Sequence, residues 1–273
     1  MADKRYDAIS SPHNERIKFV RGLKEKRERD ASGLLVIEGV REISAALAHG
    51  IAVTDAYACP DSMDEAHGAP LMERLASSGV AVTLVTPAVF AKIAYRETTG
   101  GFVAVARKPR ALLDDLTADE RSLFLVADAV EKPGNLGALL RSADGAGATG
   151  LIVSPQRTDL FNPNVIRASL GTIFSVPTAI APAEEAIRWL EARGVAIVAA
   201  VPDAEKPYTD ADFRRAVAIV VGSEDAGVGA PWREAATLRV AIPMRGEADS
   251  LNVSTAAAII LYEALRQRDA TGR

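Results

Sequence analysis

The sequence predicts an α/β fold, a larger carboxyl-terminal domain on a parallel sheet with helices on both faces, preceded by a smaller α/β domain. Three observations predict it. In the second half, short apolar runs at residues 123–127, 151–154, 195–200, 217–221 and 238–242 are mostly separated by helical patterns, the rhythm of buried parallel strands covered by helices. The first hundred residues carry the same alternation in shorter form. A chain of 273 residues, 48% hydrophobic and 25% charged, has globular composition and enough length for real cores.

Taken in order, residues 14–29 read as a basic helix, with seven cations (Arg16, Lys18, Arg21, Lys24, Lys26, Arg27, Arg29) against Glu15, Glu25 and Glu28. The apolar run 34–37 reads as a strand, 38–49 as a helix and 51–58 as a second strand. A second cycle follows: helix signals over 61–77, a strand at 80–85, a short helix at 87–94 opened by Pro87, and a closing strand at 102–106. These make an amino-terminal domain over 1–110. The polar stretch 111–119, entered through Lys108-Pro109-Arg110, suits a linker, and 120–273 form the second domain.

Several classes are excluded early. The single cysteine, Cys59, cannot close an intrachain disulfide, and His13, His49 and His67 have no zinc spacing, so no metal is expected. The charged start leads into no apolar signal core, and the run 256–262 ends at Glu263, far short of the roughly 18 apolar residues of a membrane helix; a cytoplasmic chain with no membrane span is expected. The net charge of −4 argues mildly against a polyanionic partner. That average hides segregation: residues 1–30 hold nine basic and six acidic groups, and the remainder 23 and 30, so +3 precedes −7.

Gly145-Ala-Gly147-Ala-Thr-Gly150 satisfies the G-x-G-x-x-G pattern of dinucleotide sites, but it follows a helical pattern and precedes a strand. A fingerprint of that kind must follow a strand and open a helix, so these glycines read as a helix end and a tight turn. Three other segments carry chemistry. The first runs from Asp128 through Lys132-Pro133-Gly134-Asn135 to Arg141 and Asp144. Asn135 sits where a helix N-cap would, and Arg141 follows on the same helix, so capping and ligand binding both stay open for Asn135. The second, from Val220 through Gly222-Ser-Glu224 to Gly229, is an apolar strand entering a glycine-rich loop. The third, Ile242-Pro-Met244-Arg-Gly246 to Asp249-Ser250-Leu251-Asn252-Val-Ser254, links a strand end to a long apolar helix.

Together these segments resemble the three motifs of the SpoU (TrmH-like) RNA ribose methyltransferases of the SPOUT superfamily, over roughly residues 123–265. The stretch Val165-Ile-Arg167-Ala-Ser169-Leu-Gly171 also matches the family pattern. The first 110 residues are similar to the accessory substrate domain of larger members, an L30e-like fold, through 34–46 with Ile37-Glu38-Gly39 and 98–105 with Gly100-Gly-Phe-Val-Ala104. The chain departs from the family at Lys132, where Asn or Asp is usual, and at Asp225-Ala226, where Gly-Glu is usual. Neither departure touches Asn135, Arg141, Glu224, Ser250 or Asn252.

The resemblance implies a SPOUT α/β knot, with a deep trefoil in the second domain, and a homodimer with helices near 135–144 and 251–266 as candidate interface. It implies S-adenosylmethionine as cofactor, held bent by Gly222, Ile242, Met244, Leu251 and Asn252. It implies transfer to a ribose 2′-hydroxyl of RNA, with 23S-type ribosomal RNA favoured; a transfer-RNA enzyme and a non-catalytic ribosome-assembly factor are the alternatives. Arg141 then stands beside the target ribose, where a permanently protonated guanidinium orients a phosphate and stabilises a developing alkoxide better than it takes a proton. Asn135 and Asn252 can hold the ribose or Arg141, Ser250 can contact the hydroxyl or cap the last helix, and Glu224 can orient Arg141 or close a hydrogen-bond network. Arg16, Lys18, Arg21, Lys24, Lys26, Arg27 and Arg167 are the expected RNA contacts.

Overall fold

In the computed structural model, residues 6–63, 66–95, 100–155 and 157–270 are described. Residues 64 and 65 of the 61–77 reading, and 98 and 99 of the 98–105 reading, lie outside them. The chain forms two compact units, one of residues 1–109 with Phe161–Phe174, the other of 110–160 with 175–273.

The first unit holds β1 (Asp7–Ile9), α1 (Glu15–Gly22), α2 (Lys26–Ser32), β2 (Leu34–Glu38), α3 (Val40–Ala48), β3 (Val53–Ala58), α4 (Gly68–Ser77), β4 (Ala81–Val85), α5 (Pro87–Ile93) and β5 (Phe102–Arg107). Its five-stranded sheet has the order β1-β4-β3-β5-β2, with β1, β4 and β3 parallel and β5 antiparallel to both β3 and β2. The expected single basic helix is two. Leu23 is fully buried and ends α1, and the guanidinium of Arg29, itself buried, donates to the Leu23 and Lys24 carbonyls at 2.7 Å each. A continuous helix over 14–29 would keep those carbonyls inside its own ladder; the turn frees them and Arg29 satisfies them. The expected helix 61–77 likewise begins only at Gly68.

The second unit contains β6 (Leu123–Asp128), α6 (Pro133–Gly145) and β7 (Gly150–Ser154). The chain then gives α7 (Pro163–Ala168) to the first unit and returns for β8 (Thr178–Ile180), α8 (Ala183–Glu191), β9 (Ala196–Ala200), β10 (Val217–Val221), α9 (Ala230–Ala235), β11 (Leu238–Val240) and α10 (Val253–Ala270). Its six strands are all parallel, in the order β11-β9-β10-β6-β7-β8. The path of the chain across the sheet reverses: β6, β7 and β8 run to one side, β10 and β9 lie on the other side of β6, and β11 lies beyond β9. The central strands are buried along their whole length, as sheets covered on both faces require. The stretch expected as a linker packs into this unit: Leu113 and Leu116 are buried in its core, and Ile180 N–H donates to the Ala111 carbonyl at 2.9 Å.

The glycine decoy falls where its order placed it. Gly145 is the last residue of α6, Gly147 turns with φ +64°, and Gly150 opens β7. Among the described residues, no helix is long and apolar enough to cross a membrane and no cluster of three or more His, Cys, Asp and Glu side chains could hold a metal.

Candidate active site

The parallel order brings the carboxyl ends of β9, β10 and β11 together, and a cleft opens there. It is lined by Ala200, Val201 and Pro202 after β9, by Val221 to Glu224 with Gly227 and Val228 after β10, and by Ile242, Met244, Asp249, Ser250 and Leu251 after β11. Val253 and Ala256 of α10 close it. Ligands of open α/β sheets bind beyond such strand ends where the order reverses.

The β10 loop folds back on itself. Gly227 N–H donates to the Ser223 carbonyl at 3.0 Å, and Ala226 N–H to Ser223 Oγ at 3.1 Å. A Cβ on Gly222 would lie 2.0 Å from the Gly227 carbonyl carbon, so no residue larger than glycine fits without opening the loop. Gly227 itself sits at φ +65°. The loop is tied at its exit by Asp128, buried at the end of β6, which accepts from Gly229 N–H at 2.6 Å. Burial pushes the Asp128 carboxyl up, and the Gly229 donor opposes that.

Beside the cleft, three elements converge on one carboxylate. Asn135 Nδ2, from the first turn of α6, donates to Glu224 Oε1 at 3.0 Å, and Asn252 Nδ2 donates to the same oxygen at 2.8 Å and to Asn135 Oδ1 at 3.2 Å. Lys132 forms an ion pair with Glu224 Oε2. The Lys132 ammonium, followed by the Asn135 amide, holds the Glu224 carboxyl below the usual carboxylate range, and Glu224 in turn raises Lys132.

Local structure corrects two cap readings. The N-cap of α6 is Lys132, with Pro133 at the first helical position, so Asn135 lies inside the helix and its side chain serves Glu224. The residue that accepts at the start of α10 is Asn252, through Oδ1 from Ser254 N–H at 3.0 Å and Ser254 Oγ at 2.6 Å, which leaves Ser250 on the cleft wall.

The structure thus joins Asn135, Glu224 and Asn252 directly and sets Gly222, Ile242, Met244, Ser250 and Leu251 around one cleft. Arg141 is exposed on α6 and makes no hydrogen bond or ion pair among the described residues. Of the leading cations, Arg16 donates to Thr83 Oγ1 at 3.0 Å and lies 3.5 Å from Asp55, Lys18 pairs with Glu15, Lys26 pairs with Asp30, and Lys24 donates to the Ala94 carbonyl at 2.8 Å and lies over the Tyr95 ring. Arg21 and Arg27 are exposed and make no hydrogen bond or ion pair among the described residues. Arg167, on α7, donates to Asn164 Oδ1 at 3.2 Å within the first unit. Sequence reasoning missed the Val201-Pro202 wall, which follows the predicted strand 195–200 but becomes part of the cleft only once β9 is known to lie between β10 and β11. It named Asp128 at the head of the first segment but gave it no role; its position at a strand end was the available signal.

The cleft fits S-adenosylmethionine by the chemistry of its lining. Val201, Val221, Ile242 and Leu251 offer apolar surface for a nucleoside, the glycine loop exposes backbone, and the Asp249 carboxylate on the wall suits a cationic ligand.

The SpoU rRNA Methylase family description matches residues 122–262, and that of an MRM3-like substrate binding domain matches 14–104. The chain is 34% identical over 253 residues to the 23S rRNA (uridine(2479)-2′-O)-methyltransferase of Streptomyces viridochromogenes, covering 90% of this chain and 87% of that one. A solved RNA 2′-O ribose methyltransferase superposes with a TM-score of 0.84 at 42% identity, over 96% of this chain and 99% of the other. An AdoMet-bound rRNA methyltransferase from Sinorhizobium meliloti superposes with a TM-score of 0.87 at 30% identity, over 96% and 98%.

Proposed function

Because the chain belongs to the SpoU rRNA methylase family, we propose that it transfers the methyl group of S-adenosylmethionine to a ribose 2′-hydroxyl of ribosomal RNA, of the 23S type. The observation that carries this reading is the convergence of Asn135, Glu224 and Asn252 beside a cleft walled by Gly222, Ile242, Met244, Ser250 and Leu251.

When bound, the cofactor would supply a methyl group already activated on a sulfonium; the protein's task is to orient the hydroxyl, whose proton passes to solvent water as the O–CH3 bond forms, the S–CH3 bond breaks and the neutral thioether leaves. Gly222, Ile242, Met244 and Leu251 hold it, largely through backbone and apolar contacts. Asn252 bridges this cleft to Asn135 through its amide, so that the nucleotide side and the cofactor side are held by one hydrogen-bonded group. The Arg141 guanidinium, unpaired among the described residues, orients the nucleotide through a phosphate and stabilises the developing alkoxide. Glu224, paired with Lys132, fixes the two amides by accepting from both.

Arg21 and Arg27 are the leading cations with charge to give to RNA, and the protein works as a cytoplasmic homodimer with α6 and α10 at the interface. Incubation with methyl-labelled cofactor and ribosomal RNA, followed by digestion to nucleosides, tests the reaction. Labelled 2′-O-methylribose is expected; label confined to a base would overturn it. Sedimentation of the pure protein tests the dimer, and a monomer at micromolar concentration would remove it.

A further inference from the structure

Lys132 breaks a local rule. It stands at the N-cap of α6, where Asn, Asp, Ser and Thr are favoured because their side chains accept from the helix's free N–H groups, and its own side chain makes no such bond. A cation there also faces the positive end of the helix dipole. Local rules are broken where another demand is met. Here the demand is visible: the ammonium reaches Glu224 Oε2, while Oε1 is left to accept from both Asn135 and Asn252. Each oxygen of one carboxylate thus has its own duty, and the loop before α6, the helix itself, the β10 loop and the start of α10 are joined at a single group.

We infer that Lys132 is a positioning residue for the transfer reaction: by occupying Glu224 Oε2 it fixes the carboxylate as an acceptor for the Asn135 and Asn252 amides and removes it from service as the proton acceptor. This rests on the methyltransferase reading above. The charged groups around Glu224 are Lys132 and Asp225, with Asp249 on the wall of the same cleft; Asn135 and Asn252 are neutral. Lys132 makes the largest contribution to holding the carboxyl low, so its loss lets Glu224 protonate at higher pH, and a protonated Glu224 turns an acceptor of two amides into a competing donor.

The test compares the wild-type protein with Lys132→Ala and Lys132→Arg by pH–rate profile and by the 13C carboxyl resonance of Glu224, assigned through its loss in Glu224→Gln. In Lys132→Ala, kcat is expected to fall between about tenfold and a hundredfold near neutral pH, as for a displaced positioning group. The acid limb of the profile moves to higher pH, the Glu224 resonance titrates at higher pH, and KM for RNA stays unchanged. Lys132→Arg restores the limb and the resonance. A Lys132→Ala protein with an unmoved resonance would overturn the inference, as would a raised KM for RNA with an unchanged acid limb, which would make Lys132 a phosphate contact. No transfer by the wild-type chain would overturn the methyltransferase reading, while the resonance still decides whether Lys132 controls Glu224.

Discussion

The cations of the leading helices and the polar side chains beside the cleft are held in opposite ways. In the first unit, Arg16, Lys18, Lys24 and Lys26 spend their charge on nearby carboxylates and carbonyls, and Arg29 is buried as the closing group of a helix. In the second, Asn135 and Asn252 turn toward one another and toward Glu224, and Arg141 is left unpaired among the described residues. The leading cations are therefore mostly paired within their own unit, and a sparse set of amides and one carboxylate is the part organised around a single group. What distinguishes them is convergence: strand ends in a parallel sheet bring side chains from several segments onto one carboxylate, whereas each leading cation has its own separate partners, near in sequence for Lys18 and Lys26 and distant for Arg16 and Lys24.

Substitutions can break this contrast. The largest effect is expected from Arg141→Ala, which should lower methyl transfer by at least about a hundredfold. Its melting temperature should match the wild type, because the side chain supports nothing around it; near-normal turnover would end its assigned role. Arg29→Ala should show the reverse: RNA binding of the folded protein preserved, and stability lowered by about 2–4 kcal/mol, since two carbonyls at a buried helix end lose their donor and a cavity is left. Denaturant titration reads it, and a change below about 0.5 kcal/mol would mean that the buried guanidinium does not hold the turn between α1 and α2.

Asn252→Ala sharpens the comparison because this residue serves both purposes. Turnover should fall well below wild type while stability drops by about 1 kcal/mol, the worth of one helix cap. Loss of stability with unchanged turnover would make it a cap alone. The smallest effect is expected from Arg21→Ala with Arg27→Ala, which should leave turnover at saturating RNA unchanged. The slope of log affinity against log salt should become shallower by roughly one to two, one released counterion or so for each phosphate contact. An unchanged slope would mean that these charges face only solvent.

The architecture was legible where the pattern was long and repeated. The strand at 217–221 matches β10 residue for residue, and the reading of 123–127 falls one residue short of β6, because fully buried parallel strands are unbroken apolar runs. The strands β1 and β8, of three residues each, went unseen: segments so short carry no periodicity, and what makes them strands is a neighbour already in place. The break between α1 and α2 was hidden for a related reason, since Arg29 looks from sequence like one more surface cation and only packing turns it inward. At the site, Asn135, Glu224 and Asn252 stood out through the family resemblance. The role of Lys132 did not, because an ion pair over 92 positions of sequence separation exists only once β6 and β10 lie side by side.

The return of Phe161–Phe174 to the first unit sets an order of events in the making of the protein. Gly171 fits so closely there that an added Cβ would lie 2.6 Å from that of Ala45 on α3, so this segment is a seated part of the unit. Chains leave the ribosome amino-terminus first, at about 5–20 residues per second. The first unit therefore waits, unfinished, until the chain has grown past Phe174. By then β6, α6 and β7, with Lys132, Asn135 and Arg141 on or beside them, have already been synthesised, so the second unit is begun before the first has all its parts.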